Sequence, residues 1–456
     1  MVLSFAHEGP RVVTASAPTS SPPAGISRHP LASVEGDVDR VKGSGKLPAM
    51  TRMLFRGGRV FDGTGSPLAE ADVVVEAGRI VEVGVGLDGD EAVDASGHAL
   101  LPGLFDCHVH VMISSVGLLE NLQEPFSYQF YAAARNLERT LDRGITTVRD
   151  AGGADLGVKE AVEAGLISGP RLKIAVSVLG QTGGHTDGWM PNGDRVNLIV
   201  PHPGLPDGIV DGPEEMRRKV REVRRAGADV IKVCTSGGVL SPRDDPRHAH
   251  FGLDELRACV AEARAGGIEV MAHAQATEGI KNAVRAGIRS IEHGVYLDDE
   301  AISMMLEAGT WLVPTLVAPQ GVLDAAAGGA SLPEAVLRKA RETVEAHRES
   351  FRRAVSAGVR IAMGTDSAVT PHGENLRELA LMADGGMKPE DVLVATTSSA
   401  ARLLGVDGEL GTIEPGKRAD LVLVDGDPFE FHRLPDAIRG VWKDGVRVRG
   451  AEGVPS

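Results

Sequence analysis

The stretch RRAGADVIKVCT, residues 224–235, reads as the end of a helix, a glycine turn and a strand buried on both faces. Glycine after a helix supplies the left-handed residue that closes the last turn. The run ADVIKVCT is apolar almost throughout rather than alternating, as expected of a parallel strand covered by helices on either side. The unit recurs along the chain. Asp142-Arg143-Gly144 precedes ITTVRD, Arg264-Ala265-Gly266 precedes GIEVMAHA, and Arg285-Ala286-Gly287 precedes IRSIEHG. Glu307-Ala308-Gly309 precedes TWLVPTL, and Ser356-Ala357-Gly358 precedes VRIAMGTDS. With ALLPGLFDCHVHV (99–111) and RLKIAVSVLG (171–180) this makes eight strands alternating with helices. Eight parallel βα units close most simply into a (β/α)8 TIM-like barrel. A doubly wound open sheet is the alternative, but no Gly-rich dinucleotide turn supports it.

Outside this repeat the rhythm changes. Residues 53–100 and 410–450 are short alternating strands joined by tight Ala-Gly and Asp-Gly turns, the mark of hairpins. They predict a small β-sandwich domain built from both chain ends. Residues 1–49 are rich in Pro, Ser and Gly and lack any sustained period, so a disordered tail is expected there, with Met50 or Met53 as an alternative initiator. A signal peptide is not expected, because charged residues and Pro10 interrupt any early apolar core. The expected organisation is therefore a tail over 1–49, a composite β domain from 50–100 plus 408–456, and a barrel over 101–407.

Composition narrows the function classes. The 456 residues carry a formal charge of −15 and only 4% aromatics, which disfavours both a phosphate backbone and stacked bases as partners. The three cysteines, Cys107, Cys234 and Cys259, cannot form a disulfide framework and fit a reducing compartment. No apolar run is long enough to cross a bilayer. A cytoplasmic protein with a small-molecule partner, and neither nucleic acid nor membrane, is expected. The charged helical stretch 333–357 leaves assembly into a homo-oligomer open.

Residues with metal-binding chemistry fall at the C-terminal ends of these strands, where a barrel carries its active site. The first strand ends Asp106-Cys107-His108-Val109-His110, and alternation along a strand points both histidines to one side. Two such imidazoles form a clip for a metal. Lys232 lies inside an apolar strand, where a cation is costly to bury unless its stem snorkels to solvent. His273, His293 and Asp366 end three later strands. Singly, a histidine there is more often a hydrogen-bonded core residue than a ligand. Together the six positions recur at equivalent ends of one barrel.

These residues carry a family resemblance. PGLFDCHVH, Lys232, MAHA, IEHG and MGTDS resemble the amidohydrolase superfamily over about residues 53–450, and GTIEPGKRADLVLVDGDP resembles its usual C-terminal segment. More narrowly, the chain resembles the branch of imidazolonepropionase-related hydrolases and metal-dependent Xaa-Pro-type dipeptidases. That likeness rests on Gln181-Thr182-Gly183-Gly184-His185, Ser236-Gly237-Gly238-Val239 and Val313-Pro314-Thr315-Leu316. The resemblance implies two divalent metals: His108, His110 and Asp366 at one, His273 and His293 at the other, and a carboxylated Lys232 bridging both. Zinc is the metal expected of a His/carboxylate hydrolase. It implies an activated bridging water as nucleophile, with Asp366 taking its proton and passing it to the leaving amine.

The implied reaction is cleavage of an amide C–N bond, in an Xaa-Pro-type dipeptide or an N-acyl amino acid. Cyclic amides, imidazolones, ureas and carbamates are alternatives on the same centre, because loops rather than metal ligands set specificity. A fold retained as a non-catalytic scaffold is the remote alternative. For substrate contacts, the loop 181–212 offers His185, Asp187, Trp189 and His202, and the loop 236–252 offers Arg243, Arg247, His248 and His250. His185, Arg243 and His248 are the expected substrate-binding residues, an arginine there being suited to a carboxylate. Cys107 and Cys234 read as small packing residues.

Overall fold

The computed structural model describes residues 51–449; the expected tail over 1–49 lies outside the described residues. The chain opens with β1 (Met53–Val60), β2 (Ala69–Glu76), β3 (Arg79–Gly84), β4 (Glu91–Asp94) and β5 (His98–Pro102). The parallel strands follow: β6 (Leu104–Val109), β7 (Ile145–Asp150), β8 (Arg171–Ile174), β9 (Val178–Leu179) and β10 (Val230–Cys234). They continue with β11 (Glu269–Ala274), β12 (Ser290–His293), β13 (Trp311–Val313) and β14 (Arg360–Ile361). The last three strands are β15 (Leu421–Asp425), β16 (Ile438–Lys443) and β17 (Val446–Arg449).

Strands from both chain ends share one eight-stranded sheet, ordered β17-β16-β15-β5-β1-β2-β3 with β4 on β1. The join is β15 against β5, antiparallel from Leu421↔Pro102 to Asp425↔His98. The hairpin turns read from the sequence use left-handed residues, Ala77-Gly78 at φ 52° and 76° and Asp444-Gly445 at φ 51° and 72°. Such turns match the twist of their strands. Phe55 and Trp442 meet edge to face at 4.9 Å in a core shared with Val73, Ile80 and Leu423.

The parallel strands form two sheets, β6-β7-β8 and β14-β13-β12-β11-β10-β9. The third expected strand, 171–180, is interrupted. Its first half pairs with β7 and its second with β10, and between them Val176 takes φ 62°. At the other junction, the segment 362–367 runs between β13 and β6. Ala362 N donates to Leu312 O at 3.0 Å, Cys107 N to Met363 O at 2.9 Å, and His110 N to Ser367 O at 2.8 Å. The helices pack their apolar faces on the strands, as Leu256, Cys259, Val260 and Ala263 of the helix Leu253–Ala265 do. Each fully buried side chain of leucine size contributes about 1.5–3 kcal/mol.

Left-handed glycines end several helices, including Gly287, Gly309 and Gly358. After Ala265 the role falls to Gly267 at φ 74°, one residue beyond the Gly266 expected from the repeat. Among the described residues, no helix is long and apolar enough to cross a membrane.

Candidate active site

The strand-end residues converge. His108 is the penultimate residue of β6 with His110 just beyond the strand, Lys232 is central in β10, His273 lies on β11 and His293 ends β12. Asp366 follows β14 on the segment hydrogen-bonded to β6; its N donates to His108 O at 2.7 Å. Asp366 Oδ1 lies 3.4 Å from His108 Nε2 and 3.3 Å from His110 Nε2. Lys232 Nζ lies 3.3 Å from His108 Nε2. The rings of His108 and His293 are 5.1 Å apart, and those of His273 and His293 are 4.7 Å apart. His293 and Asp366 both take left-handed backbone, φ 73° and 60°, a conformation that costs a non-glycine residue on the order of 1–3 kcal/mol and clusters at functional sites.

The donor set fits divalent metal. Each histidine has one ring nitrogen committed to the protein: His108 Nδ1 to Glu292 Oε2 at 2.9 Å and His110 Nδ1 to Gly152 O at 2.8 Å. His293 Nδ1 is 2.7 Å from Thr315 Oγ1, and His273 Nε2 is 2.9 Å from Gly237 O. The other nitrogen of each is left for a ligand, the arrangement that outer partners impose on metal-binding histidines. One donor atom each from His108, His293 and Asp366 lies within 4.8 Å of the others. Burial lowers His273 and His293 well below the usual histidine range, keeping the rings neutral as metal ligation requires. Burial likewise lowers the Lys232 amine. Burial opposes charge on Asp366 too, but the neighbouring His108 and His110 outweigh it and hold the carboxyl well below its usual range.

Around the donors lies a set of buried groups that the metal-ligand pattern alone does not reveal. Glu292 accepts from Arg149 Nη2 at 2.9 and 3.0 Å and from Ser290 Oγ at 2.5 Å, and so anchors His108. Burial works against its charge, but Arg149 and His108 hold the carboxyl down at about 2. An arginine in ITTVRD and a glutamate in SIEH, both within apolar strands, were the available signal for this pair. Asp106 ties β6 to the Asp366 segment, accepting from Thr365 Oγ1 at 2.6 Å and Asn375 Nδ2 at 2.8 Å. Gly364 is required by contact: a Cβ there would fall 2.4 Å from Val313 Cγ1 and 3.0 Å from His108 Cβ.

A cavity of about 530 Å³ opens above these residues. His108, His110, Lys232, His273, His293 and Asp366 all line it, with a largely apolar wall that includes Val116, Val239, Leu240, Val322 and Val369. His185 lines it too, stacked on His273 at 4.3 Å and held by Asp244 Oδ2 at 3.1 Å from its Nδ1. Arg243 also lines it, its guanidinium 5.3 Å from the centre of the Trp189 ring. Asp187 and Trp189 are on the wall as well. The structure does not bring His248 to the site: it is exposed and off the cavity wall, because its loop turns outward after Asp245. Arg247 is paired with Asp245, His250 is buried off the wall, and His202 packs on Phe126 and Phe130. Cys107 and Cys234 are buried, and burial raises both thiols, consistent with packing roles.

Comparison with known proteins places most of the chain among hydrolases. A protein of Aspergillus niger named ochratoxinase is 33% identical over 419 residues, covering 87% of this chain and 86% of its own. The crystal structure of a Xaa-Pro dipeptidase with methionine in its active site superposes with a TM-score of 0.80 at 33% identity, over 88% of this chain and 100% of that one. A prolidase complexed with N-methylphosphonate-L-proline gives a TM-score of 0.80 at 36% identity, over the same shares of 88% and 100%. The family model described as the amidohydrolase family matches residues 99–450, and the chain belongs to that family.

Proposed function

We propose that the protein is a metal-dependent hydrolase cleaving an amide C–N bond, in an Xaa-Pro-type dipeptide or an N-acyl amino acid. The observation that carries this reading is Asp366, placed 3.3–3.4 Å from two histidine nitrogens on the floor of a cavity. His108, His110 and Asp366 would hold one divalent ion and His273 and His293 a second, with Lys232, carboxylated on Nζ, between them. Zinc suits these donors best. When bound, the two ions supply a water acidified for attack and a Lewis acid for the scissile carbonyl.

The chain's own groups do the rest. Asp366, held ionised by its two histidines, accepts the proton of the attacking water and delivers it to the departing amine nitrogen. Glu292 and Arg149 keep the His108 ring in place throughout. The apolar wall excludes water and takes the substrate's side chains, while Arg243 on the rim suits a substrate carboxylate. The Xaa-Pro dipeptidase and prolidase neighbours support the dipeptide class. The volume of about 530 Å³ also suits a bulkier N-acyl group.

The same reading closes the eight parallel strands into one barrel over 101–407. The bridge Val109↔Ser367 supports that closure. The composite sheet of 50–100 plus 408–456 would fold over as a sandwich, supported by Ile80 N donating to Lys417 O at 2.9 Å, which ties β3 to the segment leading into β15. A cytoplasmic enzyme acting on small molecules, without nucleic acid or membrane partners, follows from the charge and cysteine usage. The test is a panel of Xaa-Pro and other dipeptides, N-acyl amino acids and cyclic amides with the zinc-loaded protein. Hydrolysis of carboxylate-bearing amides is expected, and a protein that cleaves none of them overturns the reading.

A further inference from the structure

The helix Glu334–Ala357, whose sequence reads mainly as a solvated charged face, turns a polar stripe inward. Lys339, Thr343, His347 and Ser350 are buried at spacings of one helix face. Ser350 Oγ donates to Val295 O at 2.7 Å, and His347 Nε2 lies 2.8 Å from His293 O. Lys339 makes the densest set of contacts. Its Nζ donates to Gly238 O at 2.6 Å, Ser241 O at 2.5 Å and Asp244 O at 3.1 Å, and faces Asp244 Oδ1 at 3.2 Å. An ammonium that is only 4% exposed needs such a complete set of acceptors, because burying it without partners costs several kcal/mol. All of these acceptors belong to one loop, the stretch after β10 whose residues 239–244 wall the cavity.

The far side of that loop grips His185. Asp244 Oδ2 accepts from Gly238 N at 3.0 Å and lies 3.1 Å from His185 Nδ1, with Ser241 Oγ 3.0 Å from the same nitrogen. The imidazole lies nearly parallel to His273, with 17° between the planes. Space is tight, since a Cβ on Gly238 would fall 2.3 Å from the His185 ring. A continuous path therefore runs from the helix Glu334–Ala357, through Lys339 and Asp244, to a side chain stacked on His273.

We infer that Lys339 is a positioning residue: through Asp244 it fixes His185 and the 238–244 wall against which the scissile amide is held. The inference rests on the hydrolase reading above. Lys339 touches none of the six metal-site side chains, so its loss acts on turnover and not on metal content.

The test uses the full-length zinc-loaded protein as wild type, Lys339→Met, Asp244→Asn, His185→Asn and the double variant Lys339→Met/His185→Asn. Lys339→Met should lower kcat/KM on an Xaa-Pro dipeptide by about 100-fold, the effect of an ångström-scale misplacement, with zinc content unchanged. The double variant should lose no more than His185→Asn alone, because residues acting through one another are not additive. Fully additive losses, or an unchanged kcat/KM, overturn the inference. A second readout needs no activity: trypsin should cut after Arg243 and Arg247 about ten-fold faster in Lys339→Met and Asp244→Asn than in wild type. Equal cleavage rates also overturn it. If Lys339→Met does not fold, Asp244→Asn carries both readouts. A wild type that hydrolyses no amide, with the trypsin difference intact, refutes the hydrolase reading and the catalytic half of this one, while supporting the fastening of the loop.

Discussion

Replacing Arg149 by methionine isolates the buried charge behind the site. The guanidinium is 3% exposed and Glu292 is fully buried. Arg149 donates twice to Glu292, once to Ser290 Oγ at 3.1 Å, and through Nε to Cys107 O at 2.7 Å. Methionine fills the stem and leaves the carboxylate without its counter-charge. Removing one partner of a buried pair costs about 3–5 kcal/mol. The direction agrees: despite burial, Arg149, together with His108 and Lys232, holds this carboxyl down at about 2 against its ordinary 4.5. With a urea slope on the order of 3 kcal/mol/M, the unfolding midpoint at pH 7 should fall by about 1 M.

The pH dependence of this loss has a definite sign. In the wild type the Glu292 contribution is fully present above the ordinary carboxyl range and is lost as pH falls from about 4.5 toward 2. In the variant, burial without Arg149 raises the same carboxyl, so protonation relieves the folded state on acidification. The gap between the two proteins should therefore be widest near neutrality and close toward pH 4. Urea titrations followed by circular dichroism, at fixed free zinc and at several pH values, measure it. A variant within about 0.5 kcal/mol of wild type at pH 7, or a gap that does not change with pH, refutes the reasoning.

Other perturbations follow from the same geometry. Asp366→Asn should cut kcat by about 10³-fold or more on the best amide substrate while the fold persists, measured by steady-state kinetics and thermal denaturation. Gly364→Ala drives a methyl group into Val313 and His108, and should cost about 1–3 kcal/mol together with zinc affinity, read by denaturation and metal titration. Glu378 is buried where it accepts from Leu316 N at 2.7 Å and Val317 N at 2.8 Å, and burial pushes its carboxyl up to about 8 despite those donors. Its contribution is present below about 4.5 and is lost as pH rises through 8, so Glu378→Gln should flatten that part of the stability–pH curve.

Much of this was legible in the chain because strand periodicity and metal chemistry are local. Apolar runs after helix-ending glycines located the parallel strands, and His108, His110, Lys232, His273, His293 and Asp366 stood out as polar residues within or just after them. The break in the third strand was hidden, since Val176 is an ordinary strand residue that tertiary packing forces to positive φ. Substrate-side residues divided by loop path. His185 and Arg243 reach the cavity, whereas His248, five residues beyond Arg243, faces outward. Lys339 and His347 escaped notice because dense charge on a helix reads as solvated, and only the spacing of the buried stripe reveals the inward face.

Metal stoichiometry, read beside activity, bears most directly on the proposed two-metal hydrolase. Elemental analysis of protein expressed with zinc and bicarbonate should give about two zinc ions per chain with Xaa-Pro dipeptidase or N-acyl amidase activity, and Lys232→Ala should lose most of both. One metal or none in an active wild type, or full metal and activity in Lys232→Ala, would contradict it.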